Sequence, residues 1–242
     1  MKNIEFFDLQ YFKENGIPRV DYHSHTFYTD GTGTPLTYAK VAARKNLTSF
    51  AITEHIWRTS QWLDNLLRDI NETRKMVKVE ILSGVEAKQI NIYGEIDVRD
   101  SDMKKVDLVL GSVHAYPTSE DYKFIDPKNI SPKEALEIET EALLALATNR
   151  YIDVIAHPYV LYKKHFNRDE IPEEYAKKVI LAAIENNVAI EVNSKYKVPN
   201  KKFLQMTLQL GGKISFGSDA HKPDEIGNVL ISLVKEVVEE IQ

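Results

Sequence analysis

His23 and His25, in DYHSHTFYTDG, stand two residues apart, and so do Asp219 and His221 in GSDAH. On a β-strand such residues face the same way, so each pair would present its side chains together. His55 ends LTSFAITEH, His114 ends VDLVLGSVH, His157 closes YIDVIAHP, and Glu86 lies near the end of VEILSGVEA. Imidazoles crowded into one place repel when protonated and leave nitrogens unpaired when neutral. Divalent cations with interspersed carboxylates remove both costs. The set His23, His25, Asp30, His55, Glu86, His114, His157, Asp219 and His221 is too large for one zinc-like or manganese-like centre that keeps a position for water. At least two ions are therefore expected. Asp30 precedes a glycine in YTDGTGT, where an Asp also serves as a turn former. His165, in YKKHFNRDE, reads as part of a basic loop and stays outside the set.

These residues need a frame that brings them to one place. Seven β-branched runs recur along the chain: RVDYHSH, LTSFAITEH, VEILSGVEA, VDLVLGSVH, YIDVIAHP, VAIEVNS and KISFGSDAH. Between most of them lie helical patterns over residues 36–46, 61–76, 132–149, 172–187, 200–210 and 223–241. Residues 90–106 break the rhythm with an extended excursion and one or two helical turns near 100–105. Alternating strands and helices imply a parallel sheet with helices outside, either an open doubly wound sheet or a closed or nearly closed barrel. Side chains from different strands of a β/α barrel converge at its C-terminal rim, and the histidines end the runs, so the barrel and the site support each other.

Composition bounds the function. The chain has 242 residues, 43% of them hydrophobic, and no Pro/Gly/Ser linker, which suits a single domain over 1–242. With no cysteine, disulfides, thiolate nucleophiles and sulfur-ligated metals are excluded. A net charge of -5 with dispersed lysines argues against long duplex nucleic acid as a partner, although a short or single-stranded oligonucleotide is compatible with it. The N-terminal residues lack the uninterrupted apolar core of a signal peptide, and no stretch approaches membrane-spanning length. A cytoplasmic protein without membrane contact is expected. Its oligomeric state is not legible.

The ordered motifs HSH with DG, TEH, GVE, GSVHA, IAHP and SDAH resemble those of the polymerase and histidinol phosphatase (PHP) domain of metal-dependent phosphoesterases. The resemblance runs from about Val20 to Gly227. It implies a distorted (β/α)7 barrel over about 19–242, preceded by an extension over 1–18, with the metal site at the C-terminal rim. It also implies two or three divalent ions of zinc, manganese or iron. His23, His25, Glu86 and Asp219 would hold one, Glu86, His114 and His157 a second, and Asp30, His55 and His221 the third, with Glu86 bridging.

The function so implied is hydrolysis of a phosphoric ester, in which cation-bound water gives hydroxide near neutral pH and adjacent cations neutralise the phosphoryl oxygens. A phosphatase acting on a small phosphomonoester is the first reading. A phosphodiesterase or exonuclease on nucleotides or oligonucleotide ends is the enzymatic alternative, and a non-catalytic metal-binding module the third. Arg58, Lys163 and Lys195 are candidate phosphate-binding cations on loops bordering the rim, and Tyr28, Trp57, Tyr116 and Tyr196 candidate pocket walls. In EVNSKYKVPN the chain offers lysines where the histidinol phosphatase branch usually carries an arginine. The substrate is thus open between histidinol phosphate and another phosphoester.

Overall fold

The computed structural model describes residues 4–241; residues 1–3 and 242 lie outside the described part. Along the chain, α1 (Leu9–Asn15) precedes β1 (Val20–Asp21), followed by α2 (Pro35–Arg44), β2 (Ser49–Ile56), α3 (Leu63–Arg74), β3 (Glu80–Lys88), α4 (Asp100–Met103) and β4 (Leu108–Ser112). A hairpin of β5 (Tyr116–Pro117) and β6 (Phe124–Ile125) intervenes. Then come α5 (Pro132–Ala147), β7 (Val154–Ile155), α6 (Val160–Phe166), α7 (Glu173–Glu185), β8 (Ala189–Asn193), α8 (Lys201–Gln209), β9 (Ile214–Gly217) and α9 (Ile231–Ile241).

Seven strands pair in parallel in the order β1-β2-β3-β4-β7-β8-β9. The last returns to the first. Tyr22 N–H donates to Phe216 O at 2.7 Å, His25 N–H donates to Ala220 O at 2.8 Å, and Ser24 bridges Ala220 in parallel. The result is a nearly closed, distorted (β/α)7 barrel in a single domain. Alternation sorts its strands: Phe50, Ile52 and Ile56 of β2 and Ile81, Val85 and Ala87 of β3 join Tyr38, Leu66 and Ile70 of the helices in one core. Ala51, Leu82, Leu108 and Leu110 take the opposite parity and belong to a second cluster. Among the described residues, no helix is long and apolar enough to cross a membrane.

Local chemistry sets the helix starts. Thr34 caps α2, Asn200 caps α8, and Ser131 with Glu134 forms a capping box on α5. Several features differ from the sequence reading or go beyond it, the β5–β6 hairpin among them. Residues 160–166 are the helix α6, not a loop, so His165 is helical. The final helix begins at Ile231 after a 3-10 turn at Pro223–Glu225, because Gly227 turns at φ 78° and gives its N–H to Asp21 Oδ2 at 2.7 Å. The segment before β1 also enters the core, since Phe7 exchanges backbone hydrogen bonds with Ile214 and its ring lies 6.0 Å from that of Phe216.

The N-cap residue of α6, Tyr159, supplies no side-chain cap. Glu139 of α5 does so from outside, its two oxygens accepting from Leu161 N–H at 3.1 Å and Tyr162 N–H at 2.7 Å. Burial pushes the Glu139 carboxyl up to about 8, against the lowering effect of those bonds and of His157. A carboxyl raised in the folded state binds protons that the unfolded chain has released. Its stabilisation is therefore complete below the unfolded value near 4.5 and declines as pH rises towards about 8. Glu139→Gln should remove this decline. Urea midpoints of both proteins at pH 5 and pH 8.5 check it: the wild type should lose more stability than the variant on going from the lower to the higher pH.

Candidate metal centre

Glu86 is 2% exposed and sits where β3 meets its neighbours, paired in register with His55 on one side and Leu110 on the other. Its Oε1 lies 2.8 Å from His157 Nε2 and 3.0 Å from His114 Nε2. Its Oε2 lies 2.8 Å from His55 Nδ1, 3.6 Å from His23 Nε2 and 3.7 Å from His25 Nε2. One carboxylate thus faces five imidazoles supplied by the C-terminal ends of four strands, β1, β2, β4 and β7. The seam between β1 and β9 adds the rest: His25 Nε2 lies 3.7 Å from Asp219 Oδ1, and Asp30 Oδ2 lies 3.2 Å from His221 Nε2 and 3.5 Å from His55 Nε2.

All nine sequence-derived ligand candidates therefore converge. Their donor atoms fall into three overlapping groups, each spanning no more than 4.8 Å: His25, Asp30, His55 and His221; His23, His25 and Asp219; and His55, Glu86 and His114. The grouping differs in detail from the partition the resemblance implies, because His25 and His55 each belong to two groups and His157 joins through Glu86.

The electrostatics of the donors pull against one another. Burial alone would lower His23, yet Glu191, Asp219 and Glu86 hold it well above the ordinary imidazole value. Burial lowers His25 well below that value, and the neighbouring His23 adds to the effect. Burial would raise Glu86, but His114, His23 and His157 hold it well below the ordinary carboxylate range. Adjacent imidazoles of nearly equal burial are thus driven in opposite directions. His23 Nε2 and His25 Nε2 lie only 3.1 Å apart, and Nδ1 of His25 and of His157 are buried without a hydrogen-bond partner. A donor set of imidazole nitrogens and carboxylate oxygens, packed around positive charge it cannot supply evenly, fits divalent cations.

The other candidates separate. Lys195 Nζ reaches the cluster, 3.0 Å from Asp219 Oδ1 and 3.1 Å from His221 Nδ1. Lys163 Nζ instead donates to Lys197 O at 2.9 Å and lies 3.6 Å from Asp169, while Arg58 reaches Ile96 O at 3.4 Å and Glu95 at 3.9 Å. Trp57 and Tyr196 edge the site, their rings 6.3 Å from His55 and 5.6 Å from His157. Tyr28 turns to Asp69, and Tyr116 is buried near His165. Sequence reasoning passed over Glu191, a buried acid that receives His23 Nδ1 at 2.6 Å. Its signal was present in VAIEVNS, where one charge interrupts an apolar strand and must find a partner.

Comparison with known proteins is consistent with this geometry. A profile described as the PHP domain matches residues 21–195. A probable phosphatase of Acetivibrio thermocellus is 32% identical over 86% of this chain and 81% of its own length, and one of Proteus mirabilis is 31% identical over 92% and 86%. Among solved structures, the histidinol phosphate phosphatase of Lactococcus lactis, complexed with zinc, L-histidinol and phosphate, superposes with a TM-score of 0.68. It is 17% identical, over 92% of this chain and 93% of that one. A candidate histidinol phosphatase of Listeria monocytogenes gives 0.70 at 17% identity, over 86% and 97%. At such identities the structures speak for the fold alone. The profile match and the two relatives above 30% identity go further, and on them the chain belongs to the PHP domain family.

Proposed function

We propose that this protein is a metal-dependent phosphatase that hydrolyses a small phosphomonoester at a trinuclear site formed by His23, His25, Asp30, His55, Glu86, His114, His157, Asp219 and His221. The observation that carries the proposal is the convergence of nine donors, five of them imidazoles within 3.7 Å of Glu86, eight of the nine falling into three groups of metal-ligating spacing and His157 joining through Glu86. Divalent zinc, manganese or iron held there supplies a lowered pKa for water and counter-charge for phosphoryl oxygens. The protein's own part is to hold the donors in place and to orient the ester. Lys195, whose ammonium reaches the outer edge of the cluster, would donate to a phosphate oxygen. Trp57, 44% exposed beside His55, and Tyr196 offer apolar walls for the organic part of the substrate.

Size follows from charge. A long polynucleotide needs a line of free cations, but Arg58 and Lys163 are engaged by backbone carbonyls and acids, and the chain carries -5 overall. The probable phosphatases among the relatives and the histidinol phosphate phosphatase structure support a compact phosphorylated substrate.

Purified protein should carry two or three equivalents of transition metal by elemental analysis, and prolonged chelation should abolish hydrolysis. One equivalent or fewer in fully active protein would overturn the trinuclear reading. Glu86→Gln or Asp219→Asn should lower turnover by about 100-fold or more, since each removes charge that offsets crowded cations, while His165→Ala should stay near wild type.

Turnover of small phosphomonoesters, bis(p-nitrophenyl) phosphate and labelled oligonucleotides with added manganese, at low and moderate salt, tests the substrate class. Monoesters should be preferred with weak salt dependence. Preferred cleavage of an oligonucleotide, collapsing steeply with salt, would favour an exonuclease instead.

A further inference from the structure

Glu191 stands behind two of the candidate ligands without belonging to any of the metal-spaced groups among the described residues. It is 1% exposed in β8. Its Oε1 accepts from His23 Nδ1 at 2.6 Å, and its Oε2 accepts from the His157 backbone N–H at 2.5 Å and from Asn193 Nδ2 at 3.2 Å. Both oxygens are thus occupied by protein donors, which leaves Glu191 unsuited to be a ligand itself.

What these bonds do is specific. An imidazole that gives its Nδ1 proton to a carboxylate keeps its lone pair on Nε2, and His23 Nε2 is the nitrogen aimed at His25 and Glu86. His157 has φ 30°, a backbone conformation that a non-glycine residue keeps only when its surroundings hold it. The Glu191 bond to its N–H is one such hold, and His157 Nε2 in turn lies 2.8 Å from Glu86. Room for the carboxylate is made by Gly217, where a Cβ would fall 1.9 Å from Glu191 Oε1 and 2.9 Å from His23 Cβ.

We infer that Glu191 is a positioning residue for the metal centre: it fixes the tautomer and direction of His23 and braces the strained backbone of His157. The inference rests on the proposed reading of His23 and His157 as ligands. A carboxylate that merely filled a polar gap in the barrel would leave metal affinity alone.

The test measures zinc affinity of the full chain by chelator competition, for wild type and Glu191→Gln, with circular dichroism and urea unfolding as fold controls. Glutamine keeps the shape, but its single oxygen cannot accept from both His23 and His157. Binding should weaken by about 10- to 100-fold in a folded variant, and the cobalt-substituted protein should show an altered visible spectrum. A folded Glu191→Gln with wild-type zinc affinity and an unchanged cobalt spectrum would overturn the inference while leaving the metal centre standing. Wild-type protein that binds no zinc and no other transition metal would overturn both. Should the variant misfold, nitrogen-15 spectra of zinc-loaded wild type decide. His23 is expected to carry its proton on Nδ1 and the metal on Nε2, and the reverse arrangement overturns the inference.

Discussion

The rest of the site depends on one buried negative charge. Glu86 lies within 3.7 Å of the imidazoles of His23, His25, His55, His114 and His157. Removed from water, such a carboxylate is costly to ionise unless positive charge surrounds it, and the imidazoles are costly to crowd unless negative charge lies between them. Each therefore makes the other tenable. The parallel register fixes this arrangement, since a one-residue slip of β3 against β2 would turn Glu86 outward into the helix-facing core and bring an apolar residue inward.

The barrel seam is the second constraint, because the site spans it. His23 and His25 follow β1, whereas Asp219 and His221 follow β9, so closure brings the two pairs together. Asp21 helps to lock it, with Oδ1 accepting from Ser218 N–H at 2.9 Å and Oδ2 accepting from Gly227 N–H. Glu54 anchors the loop that carries Asp30 by accepting from Thr26 and Thr29. Gly31 belongs to the same device: a Cβ there would fall 2.1 Å from His25 O, so the loop can double back only without a side chain. Positive φ at Asp219 (55°), Tyr159 (61°) and His157 places backbone strain around the same rim.

Most of this was legible in sequence because it follows a period of two. HSH, SDAH and the terminal histidines of the apolar runs predict a shared face, and β/α alternation predicts where that face leads. What escaped is what depends on a third dimension. Glu191 obeys the same alternation but ends on His23, 168 positions away in the chain, a pairing no local pattern encodes. Helix α6 follows a left-handed Tyr159 without a side-chain cap of its own, so its start is supplied by Glu139 from α5. The late start of α9 reflects a bond from Gly227 to Asp21, not a weak helical sequence after Pro223.

Exposure runs in one direction across the cluster. His23, His25, Glu86 and His157 are at most 3% exposed, while the side chains of His55, His114 and His221 are between 22% and 32% exposed and that of Asp30 is 54% exposed. Only Glu86 of β3 and His55 of β2 lie within strands and face each other in register; the other donors follow strand ends, those of the inner half packed inside the rim and those of the outer half open to water. On the proposed reading this divides the work. Donors that must set charge in a low-dielectric place are rigid and dry, whereas those next to an incoming phosphate lie where an ester can reach them and leave. Lys195 belongs to the outer half, bridging buried Asp219 and the more open His221. On the same proposed reading, a cation at that border would meet a phosphate oxygen without being buried itself, and would add recognition at the mouth without adding to the charge crowded around Glu86.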